Sequence, residues 1–239
     1  MQHTLVRILL IFSLLPFGIQ VRADGSTIDK VYHPYVQLLE KEFEYRVLYG
    51  QDSDEAIDGG IRHKLGYGQA LSDQFFAEIY LTGSEEPGGS LRLESYEAEL
   101  KWQLTEQGEF DHDWGLLFEL EKEKNDNIWE VNTTLIALHE WSNWIATGNL
   151  SVIYEWGNDI GNEWETAFSG QLRYRNNERL EPGIEIYQSQ DTQGIGPVLT
   201  GLWRFGRGKK LNWDFGAILG TDNETADVSW KLSLEYEFQ

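Results

Sequence analysis

The residues with the clearest chemical potential are charged side chains that recur at every second position. A period of two places such side chains on one face of a strand, where carboxylates attract cations and pair with basic residues on a neighbouring strand. Thirteen residues fit this description: Glu40, Glu42, Glu44, Arg46, Arg62, Lys64, Glu97, Glu99, Lys101, Glu119, Glu121, Arg173 and Glu235. They are candidates for lining a charged, water-filled passage and setting its ion selectivity. The alternative is that these charges only cross-link a lumen that is water-filled or plugged, without a role in transport.

A second chemistry to consider is hydrolysis by a serine that a histidine activates as general base. Beyond residue 23 the histidines are His33, His63, His112 and His139. No serine stands near any of them in a nucleophile pattern, and no GxSxG motif occurs. We interpret these histidines as solvated or interfacial side chains, so no catalytic residue and no enzyme activity are predicted.

Metal binding through thiolates is excluded because the sequence contains no cysteine. The acidic stretch DSDEAIDGG (52–60) resembles a calcium loop in composition, but it lacks Gly at the sixth position and Glu at the twelfth. We interpret it as an acidic surface loop, and we predict no metal site and no cofactor. The formal net charge of −21 argues against nucleic acid as a partner.

The elements that must position the charged side chains are strands, because apolar and polar residues alternate along most of the chain. In VSWKLSLEYEF (228–238), for example, an apolar file from Val228 to Phe238 alternates with Ser, Lys and Glu. The total is about twelve strands of roughly ten residues, an even number as bacterial single-chain barrels require. The runs lie at 39–49, 59–70, 75–82, 96–104, 114–123, 128–140, 145–156, 164–174, 182–189, 195–205, 211–219 and 228–238.

The beginning of the chain has the pattern of an export signal. Arg7 precedes an apolar run from Ile8 to about Ile19, and Val21-Arg22-Ala23 supplies a cleavage site. This pattern predicts a secretory signal peptide over residues 1–23, with an uncleaved N-terminal anchor as the alternative. Residues 24–239 are then expected to form a single barrel domain, with 24–33 as a loose lead-in.

An alternating strand can belong to a soluble β-sandwich or to a membrane barrel, and three features favour the barrel. Strands of about ten residues can cross a bilayer at a tilt. Closing the sheet removes exposed edges. Aromatic residues also lie near the ends of the apolar files, where headgroups would contact them. These aromatic residues are Trp114, Trp129, Trp156, Trp164, Tyr174, Trp203, Trp213, Tyr236 and Phe238. The prediction is an all-β, antiparallel up-and-down transmembrane β-barrel in the outer membrane.

Three segments carry a family resemblance: PYVQLLEKEFEYR (34–46), LTEQGEFDHDWGLLFELE (104–121) and LEPGIEIYQSQDTQGIGPVL (180–199). They resemble an uncharacterised group of Gram-negative outer-membrane β-barrel proteins, sometimes placed near the porin family named for a phenol-degradation pathway. The terminal strand also resembles that of outer-membrane barrels, whose final Phe is read by the barrel-assembly machinery. Here Gln239 follows Phe238, which departs from that pattern. The resemblance implies a fold and a location, and it carries no catalytic residues.

The function predicted first is a porin-like channel that passes small solutes, cationic ones among them. The expected partners are outer-membrane lipid, the solutes and the barrel-assembly machinery. Two membrane alternatives are a non-conducting barrel that serves as a structural or interaction platform, and a membrane-embedded lipid hydrolase. The remaining alternative is a soluble periplasmic β-sandwich.

Overall fold

The computed structural model describes residues 28–53, 58–158 and 160–239, so the predicted signal peptide lies outside the described residues. Twelve strands fill most of this part of the chain. No helix in the described ranges is long and apolar enough to cross a membrane. The strands are β1 (Lys41–Gln51), β2 (Ile61–Ala70), β3 (Phe75–Glu85), β4 (Arg92–Gln103), β5 (Asp113–Glu123), β6 (Ile128–Trp141), β7 (Trp144–Gly157), β8 (Glu163–Tyr174), β9 (Glu181–Gln188), β10 (Gln193–Gly206), β11 (Lys209–Gly220) and β12 (Val228–Phe238).

The strands form one closed barrel in which every strand pairs antiparallel with its neighbours in sequence. The first and last strands close the circle, with Lys41 opposite Phe238 and Gln51 opposite Val228. Closure leaves no sheet edge, which is how such a sheet avoids unpaired backbone groups. The prediction of an all-β, up-and-down barrel of about twelve strands is therefore confirmed.

The barrel has two ends with different connections. The terminal end carries Lys41 and Phe238 together with connections 71–74, 104–112, 142–143, 175–180 and 207–208. The opposite end, called the loop end, carries connections 52–60, 86–91, 124–127, 158–162, 189–192 and 221–227.

Left-handed backbone conformation determines the turn between β10 and β11 and the start of β1. In the connection 207–208, φ is 54° at Arg207 and 71° at Gly208, the left-handed values that a two-residue type I′ hairpin needs. At the same end of the barrel, Leu39 has a φ of 69°. The sequence pattern placed Leu39 in the first strand, but this left-handed residue interrupts extended backbone. The strand therefore begins at Lys41.

The outer face of the barrel is apolar along the middle of its strands. Ile79, Leu150 and Ile184 are 64%, 53% and 54% exposed, although each lies in the middle part of its strand. No protein layer covers these side chains within the described residues, so an apolar solvent is the environment that suits them. The barrel is therefore of the transmembrane type, with its apolar file outward.

Aromatic side chains mark both ends of this apolar surface. Trp144 stacks edge-on against Tyr174 at the terminal end, with ring centroids 5.0 Å apart. Tyr154 lies 4.6 Å from Trp164 at the loop end, beside Trp156. Trp144 and Trp156 are twelve residues apart on β7, which is about 40 Å along a strand and about 30 Å vertically at a tilt near 40°. That height matches the hydrocarbon core of a bilayer, roughly 30 Å.

The interior contains a segment of chain as well as wall side chains. Residues 28–33 lie inside the barrel, where Ile28 and Tyr32 are buried in two separate apolar clusters. The prediction that 24–33 form a loose lead-in is therefore wrong for residues 28–33, and 24–27 lie outside the described residues. The pattern failed because this stretch pairs with no strand and has no period of two.

Candidate functional site

The candidate site is the barrel interior together with residues 28–37, which we call the lumen segment. The C-terminal part of the lumen segment is fixed near the terminal end of the barrel. The backbone amide of Val36 donates to Gln103 Oε1 at 2.6 Å, and the hydroxyl of Tyr35 donates to Asp113 Oδ2 at 2.7 Å. These contacts attach the segment to the inner faces of β4 and β5.

Tyr32 anchors the middle of the lumen segment. Its backbone amide donates to Asn149 Oδ1 at 2.7 Å, and its carbonyl accepts from Asn149 Nδ2 at 2.9 Å. Its ring packs against Leu117 and Ile136, both fully buried. Its hydroxyl donates to Glu99 Oε1 at 2.8 Å. Paired backbone groups and a buried ring make this contact specific rather than a passive filling of space.

The N-terminal part of the segment lies in the half of the barrel that is nearer the loop end. Ile28 is 2% exposed and lies among Tyr187, Val198 and Ile218. The hydroxyl of Tyr187 donates to the carbonyl oxygen of Asp29 at 2.7 Å. Residues 28–37 therefore extend through much of the lumen, from the terminal end to beyond its middle.

Two adjacent charged residues of the segment pair with the wall. Lys30 Nζ lies 3.1 Å from Glu44 Oε2 and 2.6 Å from Glu235 Oε2. Asp29 Oδ2 lies 2.6 Å from the guanidinium of Arg46. Neighbouring residues of an extended chain point in opposite directions, so one dipeptide can meet wall groups of both signs.

The strand register changes the charge pairing that the sequence suggested. The first two strands were expected to pair their own carboxylates and cations, but Arg46 lies opposite Lys64, and Glu44 lies opposite Gly66. The inward file of β2 carries no carboxylate. Lys64 instead reaches Glu97 on β4 at 2.8 Å, and Arg46 binds Glu44 of its own strand at 2.9 Å.

Gly66 makes room for a tyrosine that joins this network. The Tyr80 hydroxyl accepts from Arg46 at 2.9 Å and donates to Glu44 at 2.7 Å. A Cβ added at Gly66 would lie 2.2 Å from Tyr80 Cε1, so the ring lies directly over the glycine. Because any larger residue would displace the ring, Gly66 is required for Tyr80 to reach the Arg46–Glu44 pair.

The structure places all thirteen sequence-predicted residues on the inner face of the barrel. Eleven of them line one cavity of about 1500 Å³, while Glu44 and Glu99 lie beneath the lumen segment. The same cavity is lined by Glu86 and Asp126 at the loop end and by Arg175 at the terminal end. Their roles in selectivity stay a prediction.

Sequence reasoning missed several residues of the interior. It missed Asp29, Lys30 and Tyr32 because no strand pattern includes them. It also missed Glu78 and Tyr80, which lie two residues apart in the strand predicted at 75–82 and therefore face the same side. The alternation of that strand could have identified both as residues of the interior. Glu185 and Lys231, which were not among the thirteen candidates, form a buried pair at 2.7 Å.

The histidines do not gather into one site. His63 contacts the Tyr45 hydroxyl at 2.8 Å, and His112 stacks on His139 at 4.6 Å near the terminal end. His33 lies partly buried inside the barrel, within the lumen segment and beside the Tyr35 ring at 5.8 Å, rather than on the outer surface. This position was not predicted, because no pattern in the sequence indicates that the segment enters the barrel.

Comparison with known proteins gives structural likeness only. No protein-family model matches the chain, and no curated protein sequence is significantly similar to it. Among solved structures, the COG4313 outer membrane channel from Pseudomonas putida F1 is 15% identical, with a TM-score of 0.57, over 88% of this chain and 99% of that one.

Two further structures show how widely this architecture is used. The KdgM porin, solved in complex with disordered oligogalacturonate, is 8% identical, with a TM-score of 0.52, over 84% of this chain and 99% of that one. The translocator domain of the autotransporter NalP from Neisseria meningitidis is 8% identical, with a TM-score of 0.53, over 85% and 89%. At these identities the likeness establishes the fold alone.

Proposed function

We propose that this chain is an outer-membrane, porin-like channel that passes small solutes and prefers cations. The observation that carries the proposal is one continuous cavity that residues of both barrel ends line, enclosed by a wall whose outer face is apolar. The fold likeness to the Pseudomonas putida channel and to the KdgM porin supports it. In this proposal the chain is exported by a cleaved signal peptide, and its terminal strand is read by the barrel-assembly machinery.

Charge supports the preference for cations. Carboxylates outnumber cationic groups on the inner face, and a low-dielectric wall focuses their field into the passage. The lumen segment adds one cation and one anion, Lys30 and Asp29, so it leaves this balance unchanged. Because the Debye length is about 10 Å at 0.1 M salt, the preference should fade as ionic strength rises.

The test is the reversal potential of refolded protein in a planar bilayer under a KCl gradient. We expect a cation-selective potential that shrinks at high salt and is reduced by Glu121→Gln with Glu165→Gln, since both side chains line the cavity. The matched control is Glu106→Gln with Glu109→Gln, two exposed carboxylates in connection 104–112. Anion selectivity at low salt, or equal effects of the two pairs, would contradict the proposed preference.

A second candidate is a non-conducting barrel that acts as a structural or interaction platform. The observation that favours it is the lumen segment, which is bonded to walls on opposite sides of the interior through Glu235 and Asn149. Protein that refolds fully but conducts no ions would support this candidate. We assign no enzyme activity, and kinship with the porin family named for a phenol-degradation pathway stays a prediction.

A further inference from the structure

The pairing of β4 with β5 places carboxylates opposite each other on the inner face of the barrel. Register places Glu97 directly opposite Glu121 and Glu99 directly opposite Glu119. Like charges directly opposite each other on neighbouring strands destabilise a sheet. Positive charge close to these carboxylates would therefore stabilise this part of the wall.

Three of these carboxylates are close enough to share one ion. One carboxylate oxygen from each of Glu97, Glu99 and Glu119 lies within 4.8 Å of the others. Glu97 and Glu99 are 7% and 3% exposed, so bulk water does not screen them fully. Oxygen atoms at this spacing can surround a cation at the 2.3–2.6 Å typical of calcium–oxygen bonds.

A second sign of a missing ligand comes from the hydrogen bonding of Glu99. Its Oε1 accepts a hydrogen bond from the Tyr32 hydroxyl at 2.8 Å. Its Oε2 is buried and has no hydrogen-bond partner among the described residues. A buried carboxylate oxygen without a partner is costly, because its lost hydration is not replaced. The unsatisfied atom belongs to the same carboxylate that completes the three-residue cluster.

The surrounding charge indicates a divalent ion. Lys64 Nζ lies 2.8 Å from Glu97 Oε1 and 3.6 Å from Glu99 Oε1, so one ammonium already faces the cluster. With all three carboxylates ionised, as a bound cation would favour, the cluster and this ammonium together carry two negative charges. Asn132 Nδ2 donates to Glu119 Oε2 at 2.6 Å, which orients that carboxylate without changing its charge.

We propose that Glu97, Glu99 and Glu119 bind a calcium ion on the lumen wall. Calcium suits the cluster better than magnesium, because it accepts irregular oxygen geometry and loses its hydration more readily. Tyr32 ties the site to the lumen segment, since its hydroxyl holds one oxygen of Glu99. The site goes beyond the proposed channel function, because it exists whether or not the lumen conducts.

The test is calorimetric titration of detergent-refolded protein with calcium chloride, which needs no conductance. We expect a dissociation constant of about 0.1–1 mM, as in weak extracellular calcium sites. Glu119→Gln should weaken binding at least tenfold, and magnesium chloride should bind at least tenfold more weakly than calcium. The matched control Glu165→Gln, another carboxylate that lines the lumen, should change the constant less than twofold.

Heat-modifiable gel mobility will show whether each variant has formed the barrel. If Glu119→Gln does not fold, Glu119→Asp keeps the charge, retracts the oxygen atoms and should also weaken binding at least tenfold. The proposal is overturned if folded wild-type protein binds no calcium, as it would if the cluster held a shared proton instead. Equal weakening by Glu119→Gln and Glu165→Gln would also overturn it.

Discussion

Lys30 is the residue whose loss should release the lumen segment most directly. Its ammonium bridges Glu44 and Glu235, on the two strands that close the barrel. The change Lys30→Met keeps most of the side-chain length and removes the charge. We expect the segment to leave the lumen more often while the barrel stays intact, because the wall is held by its own strand pairing.

The magnitude follows from the contacts that are lost. A hydrogen bond to a charged group contributes about 1.5–3 kcal/mol, and Lys30 makes two of them. Some of this is recovered, because Glu44 keeps Arg46 and Glu235 keeps Asn212 as partners. Docking of the segment should therefore weaken by about 2–4 kcal/mol, which is roughly a 30-fold to 1,000-fold increase in the undocked fraction.

The absence of cysteine from the sequence offers a direct assay. In the variant Ile28→Cys the thiol would lie in the buried cluster of Tyr187, Val198 and Ile218. A water-soluble thiol reagent should label it only when the segment leaves that cluster. We expect Lys30→Met to raise the labelling rate of this variant by at least about 30-fold, in line with the lower limit of the lost interactions.

The matched control is Lys210→Met in the same Ile28→Cys background. Lys210 also pairs inside the barrel, with Glu237, and its side chain is 17% exposed against 16% for Lys30. It joins one wall strand to another rather than to the segment, so its loss should change labelling less than threefold. Equal labelling of the two double variants would refute a specific role of Lys30 in holding the segment.

Two further predictions concern the outer wall and the histidines. Leu150→Arg places a charge on the lipid-facing surface near mid-strand and should destabilise the barrel by about 2–4 kcal/mol. The matched change Ser151→Arg faces the lumen and should destabilise the barrel by less than about 1 kcal/mol. Refolding into lipid followed by gel mobility measures both, and equal tolerance would contradict the facing. His63→Ala and His139→Ala should leave conductance unchanged, and a lipid-hydrolysing activity lost with either variant would contradict the absence of catalysis.

The wall of the barrel could be predicted from the sequence because a period of two is a local property. In β12 every apolar residue from Trp230 to Phe238 faces outward, and the carboxylates Glu235 and Glu237 face the lumen, as the alternation indicates. Such a pattern needs no knowledge of which strands are neighbours. The alternation did not predict the bulge between Thr82 and Gly83, where β3 pairs with β4, because a bulge depends on the register of two strands.

The pairing of the charges could not be predicted, because it depends on register and on a segment without periodicity. Alternation shows that Arg46 and Lys64 face inward, but only the register shows that they lie opposite each other. Besides Glu44 on the same strand as Arg46, the partners that balance them are Asp29 from the segment and Glu97 from a strand that is not adjacent to β2. The short peptide 28–37 contains only two charged residues, Asp29 and Lys30, and shows no alternation of apolar and polar residues.

The lumen segment and the acidic wall should act on different properties of the proposed channel. Docking of residues 28–37 adds one ammonium and one carboxylate to the lumen, so it narrows the passage without changing the sign of its field. Release of the segment by Lys30→Met should therefore raise conductance while leaving the passage cation-selective. Calcium at Glu97, Glu99 and Glu119 would add two positive charges without moving the backbone, and so should lower cation selectivity more than conductance. A single bilayer experiment that records both quantities can separate obstruction by the segment from neutralisation of the wall.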